Sequence, residues 1–165
     1  MSKKKIHLHR QIIGTKHFEG VLDVTDPCYN KDVWCRIKTP SPVKRGNYEC
    51  AVWRGTTVEI YDGKPYRDTR VWILGIYLDG IIPKQKKFEE IGEIGVDAGL
   101  AGFFMNKPDY DDEAWSEFCN SIREGDAWIK PEGFFSSSGL GDGCYPVYAH
   151  RNESGYITAL EIRFG

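Results

Sequence analysis

Between residues 6 and 13 apolar and polar side chains alternate, with Ile6, Leu8 and Ile12 on one face and His7, His9 and Gln11 on the other. A period of two residues is that of a half-buried strand. A second strand is predicted over 20–25 and is stopped by Asp26-Pro27. Proline cannot donate to a ladder and biases the residue before it to extended backbone, which places Asp26 at a strand end with its carboxylate directed off the sheet. A short turn or helix around 30–38 and the connector Thr39-Pro40-Ser41-Pro42 follow. The connector is too short to separate two domains. Residues 46–53 read as a strand with Tyr48, Cys50 and Val52 on one face, and Gly55 as a tight turn into 57–61. Asp62-Gly63 marks another turn. Residues 70–78 are apolar on both faces, the pattern of a central strand covered on both sides.

Residues 92–104 end a strand in a glycine-rich turn around Asp97. The helix predicted over 109–124 follows Pro108, with an acidic first turn that suits the positive end of the helix dipole. Trp115, Phe118, Cys119 and Ile122 form its apolar stripe, and Gly125 ends it. Strands over 144–150 and 156–164, joined by a polar loop with a late glycine, make a hairpin. Pro146 argues for an edge position of the first of them. The fold class is α+β, mainly antiparallel β as a sandwich or partly open barrel, with one packed helix. Residues 1–165 form a single domain.

The composition fits a globular chain of 165 residues: 41% hydrophobic, 28% charged and 13% aromatic. No apolar run approaches the ~20 residues that span a bilayer, and the basic N-terminus lacks the apolar core of a signal peptide. A cytoplasmic protein is expected. Five cysteines without a C-x-x-C pair predict reduced, mostly buried thiols. The net charge of −2 is unevenly spread: residues 1–55 carry 11 Lys/Arg against 5 Asp/Glu, and residues 111–165 carry 4 against 10. Such polarity steers charged partners, but without a long basic run it does not point to nucleic acid.

The densest candidate chemistry lies at 133–148. Gly139, Gly141 and Gly143 surround Asp142 and lead into the strand bearing Tyr145. Asp26, Asp97 and Asp142 each sit at or near a predicted strand end. Should those ends meet at one rim, the three carboxylates offer hard oxygen ligands to Mg²⁺ or Ca²⁺. Such a metal would polarise a phosphoryl oxygen or activate water. The alternative is that each aspartate caps its own turn. Ser138 and its neighbours would offer hydroxyl and N–H donors to a small anion.

Neither the phosphate-binding G-x-x-x-x-G-K-[ST] loop nor the dinucleotide G-x-G-x-x-G pattern occurs. Cys144 and His150, six residues apart on one strand, would lie ~20 Å apart, too far for a nucleophile–base pair. His7 and His9 read as surface histidines, and Lys84-Gln85-Lys86-Lys87 as a solvated loop.

Asp26-Pro27, Gly46-Asn47-Tyr48, Val96-Asp97-Ala98-Gly99 and above all Ser137-Ser138-Gly139-Leu140-Gly141-Asp142-Gly143-Cys144-Tyr145-Pro146-Val147-Tyr148 resemble a bacterial family known as domain of unknown function 4241. The likeness spans about residues 20–164. The chain departs from it at Cys28-Tyr29 and at Arg163, where an acid would be expected. The resemblance implies a compact β-rich cytoplasmic protein with Asp26, Asp97 and Asp142 on a shared rim, in an accessory, immunity or defence-related setting. The expectation from the sequence is therefore a non-enzymatic binding protein. It would take a partner protein or small anionic ligand at the rim formed by Asp26, Asp97, Ser138, Gly139, Gly141, Asp142, Gly143 and Tyr145. The alternative is a divalent-metal-assisted hydrolase of a phosphoester or nucleotide.

Overall fold

A computed structural model of the chain describes residues 6–30 and 36–165. Along the described chain run β1 (Leu8–Gly20), β2 (Asp23–Thr25), β3 (Ile37–Lys38), β4 (Val43–Tyr61), β5 (Lys64–Leu78), β6 (Glu89–Val96), β7 (Leu100–Phe104), α1 (Asp112–Ser121), β8 (Ala127–Lys130), β9 (Gly133–Ser137), β10 (Gly143–Arg151) and β11 (Ile157–Arg163). The turn or helix expected around 30–38 falls largely on 31–35, outside the described residues. The strands form a six-stranded sheet, β1-β4-β5-β11-β10-β6, and a five-stranded one, β3-β2-β7-β9-β8. One apolar core draws Tyr48, Cys50, Val52, Leu74, Ile76, Val147 and Leu160 from the first and Val24, Phe103 and Phe134 from the second. The fold is an antiparallel-rich β-sandwich with one helix. The sheets stay open and close no barrel. Among the described residues no helix is long and apolar enough to cross a membrane.

The central strand expected at 70–78 is β5, between β4 and β11. It is covered on both faces because Leu74 and Ile76 enter the core while Tyr77 packs with Ala51 and Ala159 on the other side. Opposite β5, Trp53 pairs with Ile73 but Arg54 pairs with Val71, so Trp72 is the extra residue of a bulge. A bulge reverses side-chain parity along the strand, which is why Val71 as well as Leu74 reaches the core. Gly55 makes no turn: β4 runs straight through it, and a Cβ there would lie 2.6 Å from Trp72 Nε1. The turn comes at Asp62-Gly63, where φ is positive at both residues (53° and 73°), the geometry of a two-residue hairpin. Among the described residues, β4 beyond Gly55 and β5 before Trp72 pair only with each other. They form an arm that exposes Val58, Ile60, Tyr61 and Tyr66.

Pro146 sits on β10, an inner strand and not an edge. It is tolerated because pairing with β11 starts only at Val147↔Ile162, so at Pro146 the strand has a partner on the β6 side alone. The helix is shorter than expected. Asp111 caps it by accepting from Ala114 N at 2.8 Å, as short polar side chains do at helix N-termini. Only Phe118 of its predicted stripe is buried, stacked between Tyr110 and Phe135, whereas Trp115 (38%) and Cys119 are exposed. The described thiols are free, and two of them, Cys119 and Cys144, are exposed.

On the outer face of the six-stranded sheet Glu161 is buried. It accepts from Tyr77 Oη at 2.6 Å and from Arg163 Nη2 at 2.9 Å, while Trp53 Nε1 donates to Tyr77 Oη at 3.0 Å. Removing the carboxylate orphans a buried phenol and a partly buried guanidinium, so Glu161→Ala is expected to cost about 2–4 kcal/mol. Urea unfolding of the variant and the parent chain measures this.

Candidate functional site

Four connections cross between the sheets among the described residues. The turn at 97–99 links β6 to β7, the loop at 138–142 links β9 to β10, residues 21–22 link β1 to β2, and residues 39–42 link β3 to β4. The first two run side by side. Val96 faces Gly143 in one sheet, Leu100 faces Ser137 in the other, and Ser138 N donates to Gly99 O at 2.9 Å between them. The end of β2 joins them through Asp26. The strand ends expected to meet at one rim do meet.

The three aspartates have different jobs there. Asp26 is fully buried, its carboxylate turned inward and not off the sheet. Its Oδ1 accepts from Cys28 N at 2.9 Å, and its Oδ2 accepts from Asp97 N at 3.0 Å and Ala98 N at 2.8 Å. Backbone N–H donors supply the solvation that a buried carboxylate would otherwise lack. Asp97 is exposed and accepts from Tyr29 Oη. Asp142 is exposed at the tip of the loop. Among the described residues no three His, Cys, Asp or Glu side chains are grouped to hold a metal ion. The Mg²⁺ or Ca²⁺ set of Asp26, Asp97 and Asp142 is not grouped: Asp26 turns its carboxylate into the interior onto backbone donors, while Asp97 and Asp142 are exposed.

The glycine-rich loop is likewise occupied with itself. Ser138 Oγ and Tyr145 Oη both donate to Gly141 O, at 2.7 and 2.8 Å, and Ser136 Oγ donates to Ser137 O at 2.9 Å. These hydroxyls point into the protein and not toward an anion. Gly139 has φ of 64°, and a Cβ there would meet Val71 O at 2.2 Å. Only glycine fits where the loop crosses the bulge of β5. Gly141 and Gly143 also have positive φ and shape the loop without offering a side chain. Burial first, then the charge of Asp142, raises the pKa of Tyr145.

What the rim offers a ligand lies one step to the side, where the sequence reading placed no site. A cavity of about 420 Å³ is lined by Cys28, Tyr29, Asn30, Ala98, Tyr110, Asp111, Asp112 and Trp115. Ala98 is held by Asp26, and Tyr29 is bonded to Asp97. Tyr110 Oη donates to Glu132 Oε1 at 3.2 Å, and its ring stacks on Phe118, with Trp115 on the same phenylalanine. Lys107, buried, places its Nζ 4.4 Å from the Tyr110 ring centroid and donates to Pro108 O at 2.9 Å. Burial, then the charge of Arg36, lowers its pKa. Arg36 itself pairs with Asp23 at 3.7 Å.

Burial first, then the charge of Asp26, pushes the Cys28 thiol well above its ordinary pKa, which leaves it a poor nucleophile. Among the described residues the lining thus combines three aromatic rings with two carboxylates and no cationic side chain, Lys107 standing against the Tyr110 ring. The spacing of Tyr29, Tyr110 and Trp115 carries no local periodicity, so only the fold reveals them as a group. No family model, curated protein or solved structure matches this chain in the comparisons made, and the likeness to domain of unknown function 4241 rests on the quoted residues.

Asp26→Asn puts an amide NH₂ where backbone N–H groups now find an acceptor, and is expected to cost about 2–3 kcal/mol. Asp142→Asn, at an exposed tip, should stay within about 0.5 kcal/mol. Gly139→Ala meets both a disfavoured φ and a backbone oxygen, and should lose at least about 2 kcal/mol. Chemical denaturation of the three variants tests the ranking.

Proposed function

We propose that this chain is a binding module that takes a cationic side chain of a partner protein in the cavity beside the rim. The observation that carries the reading is the lining itself: Tyr29, Tyr110 and Trp115 rings with the Asp111 and Asp112 carboxylates at their edge. A cation gains from aromatic faces by about 0.5–2 kcal/mol each, and carboxylates add charge-assisted hydrogen bonds. The N-terminus of α1 opposes a cation with about half a positive charge. Asp111, Asp112 and Glu113 at that end outweigh it.

This reading keeps a partner-binding role at the rim and reverses the charge of what is bound. A small anion there would face Asp97, Asp111 and Asp112 and find the hydroxyls of Ser138 and Tyr145 engaged with Gly141 O. The metal-assisted hydrolase is not favoured, since its ligand set would require Asp26 to give up three backbone donors. An immunity or defence-related setting stays an expectation of the family resemblance.

Short arginine- or lysine-containing peptides titrated into the protein should perturb the amide resonances of Tyr29, Ala98, Tyr110 and Trp115, while a glutamate-containing peptide of equal length should not. Trp115→Ala, and the paired change Asp111→Asn with Asp112→Asn, should each weaken the basic peptide at least tenfold. Equal responses to both peptides would sink the reading.

A further inference from the structure

A second cavity, about 670 Å³, lies at the other end of β10. Gly143 at the rim and His150 in this cleft are seven residues apart on that strand, roughly 23 Å, so the two sites are separate. Its floor is apolar: Leu78, Ile81, Ile82 and Pro83. Lysines reach it from two parts of the fold, Lys44 from β4 and Lys84, Lys86 and Lys87 from the crossover after β5. Lys44 arrives there because the start of β4 lies against the start of β11, with Val43 facing Ile157. The segment 84–87 is not simply a solvated loop. It folds into a short 3₁₀ turn at Gln85–Lys87, and Gln85 Oε1 accepts from Arg163 Nη2 at 2.9 Å, fastening it to the sheet.

Charge bookkeeping decides what fits. Four lysines face a single lining carboxylate, Asp79, and none of the four is in an ion pair with a described residue. Burial, then Lys87, lowers the pKa of His150, a local mark of the positive field. Asn152 Oδ1 accepts from Ser154 N and Tyr156 N, both at 3.0 Å, which leaves its NH₂ as a donor. Lysine is a mobile point charge suited to phosphate oxygens, and this volume is that of a small-molecule site. We infer that this cleft binds a nucleoside di- or triphosphate, its phosphates among Lys44, Lys84, Lys86 and Lys87 and its base on the floor of Leu78, Ile81, Ile82 and Pro83. Separate elements supply the lysines, so the site needs no glycine-rich phosphate loop.

Calorimetry on the whole chain at about 150 mM salt, where diffuse attraction is screened, tests the assignment. The titrants are ATP, GTP, inorganic tripolyphosphate, adenosine and a twelve-residue oligothymidylate. At least one nucleotide should bind at least tenfold more tightly than tripolyphosphate or adenosine. Lys84→Gln with Lys87→Gln, and separately Ile82→Asp, should each weaken it tenfold or more, with unchanged thermal unfolding. Asp111→Asn with Asp112→Asn, at the rim cavity, should leave it unchanged. Absence of nucleotide binding, equal affinity for tripolyphosphate, tighter binding of the oligonucleotide, or indifference to the lysine changes would each overturn the assignment.

Discussion

The carboxylate of Asp26 is the constraint on which the rim of this sandwich depends. Residues 26–28 and 97–98 are far apart in sequence and belong to connections that leave different strands. A single side chain accepts from backbone N–H groups of both. Three donors around one buried anion are charge-assisted hydrogen bonds in a weakly polar setting, where such bonds are strong and an unpaired donor is costly. The carboxylate therefore does the work a ladder does within a sheet, at a place where the chain leaves one sheet for the other and no ladder can continue.

Once that clamp is in place, the neighbouring geometry follows. Tyr29, three residues after Asp26, brings its hydroxyl to Asp97 on the clamped turn. Ala98, the second residue of that turn, becomes part of the cavity wall. On the other side the loop at 138–142 closes against Gly99 and is tied internally at Gly141 O. The glycines let this loop pass close to Val71 O, which makes it a fastening and not a receptor. Rigid support at the rim holds the wall of the aromatic cavity beside it, the preorganisation that the proposed binding role requires.

How much of this was legible in the sequence depends on how local each signal is. The alternation at Tyr48, Cys50 and Val52, the two-faced apolar run of β5 and the acidic start of α1 are local patterns, and each found its element. Asp26-Pro27 and Asp97 were legible as strand-end residues, and their segments meet. The direction of Asp26 was not legible, because donors supplied by residues 97 and 98 decide whether its carboxylate faces solvent or interior. Pro146 misled for a similar reason: β10 is an inner strand whose pairing with β11 begins one residue later. Gly55 looked like a turn because glycine often marks one, whereas its missing side chain makes room for Trp72. Neither Tyr110 and Trp115 beside Tyr29, nor Lys44 beside Lys84–Lys87, has any periodicity that announces the grouping.

Charge of opposite sign gathers near the two ends of β10. Near Gly143 stand Asp97 and Asp142, with Asp111 and Asp112 on the adjoining cavity; near His150 stand Lys44, Lys84, Lys86 and Lys87. Sheet, core and clamp hold these two fields roughly 23 Å apart, more than twice the screening length at physiological salt. At that distance occupancy of one end exerts little direct electrostatic effect on the other. Along β10 the ladder is interrupted by the Pro146 gap and by the register shift between Val147 and Tyr148. Under the two proposals made above, the two ligands would be of opposite charge and would bind independently.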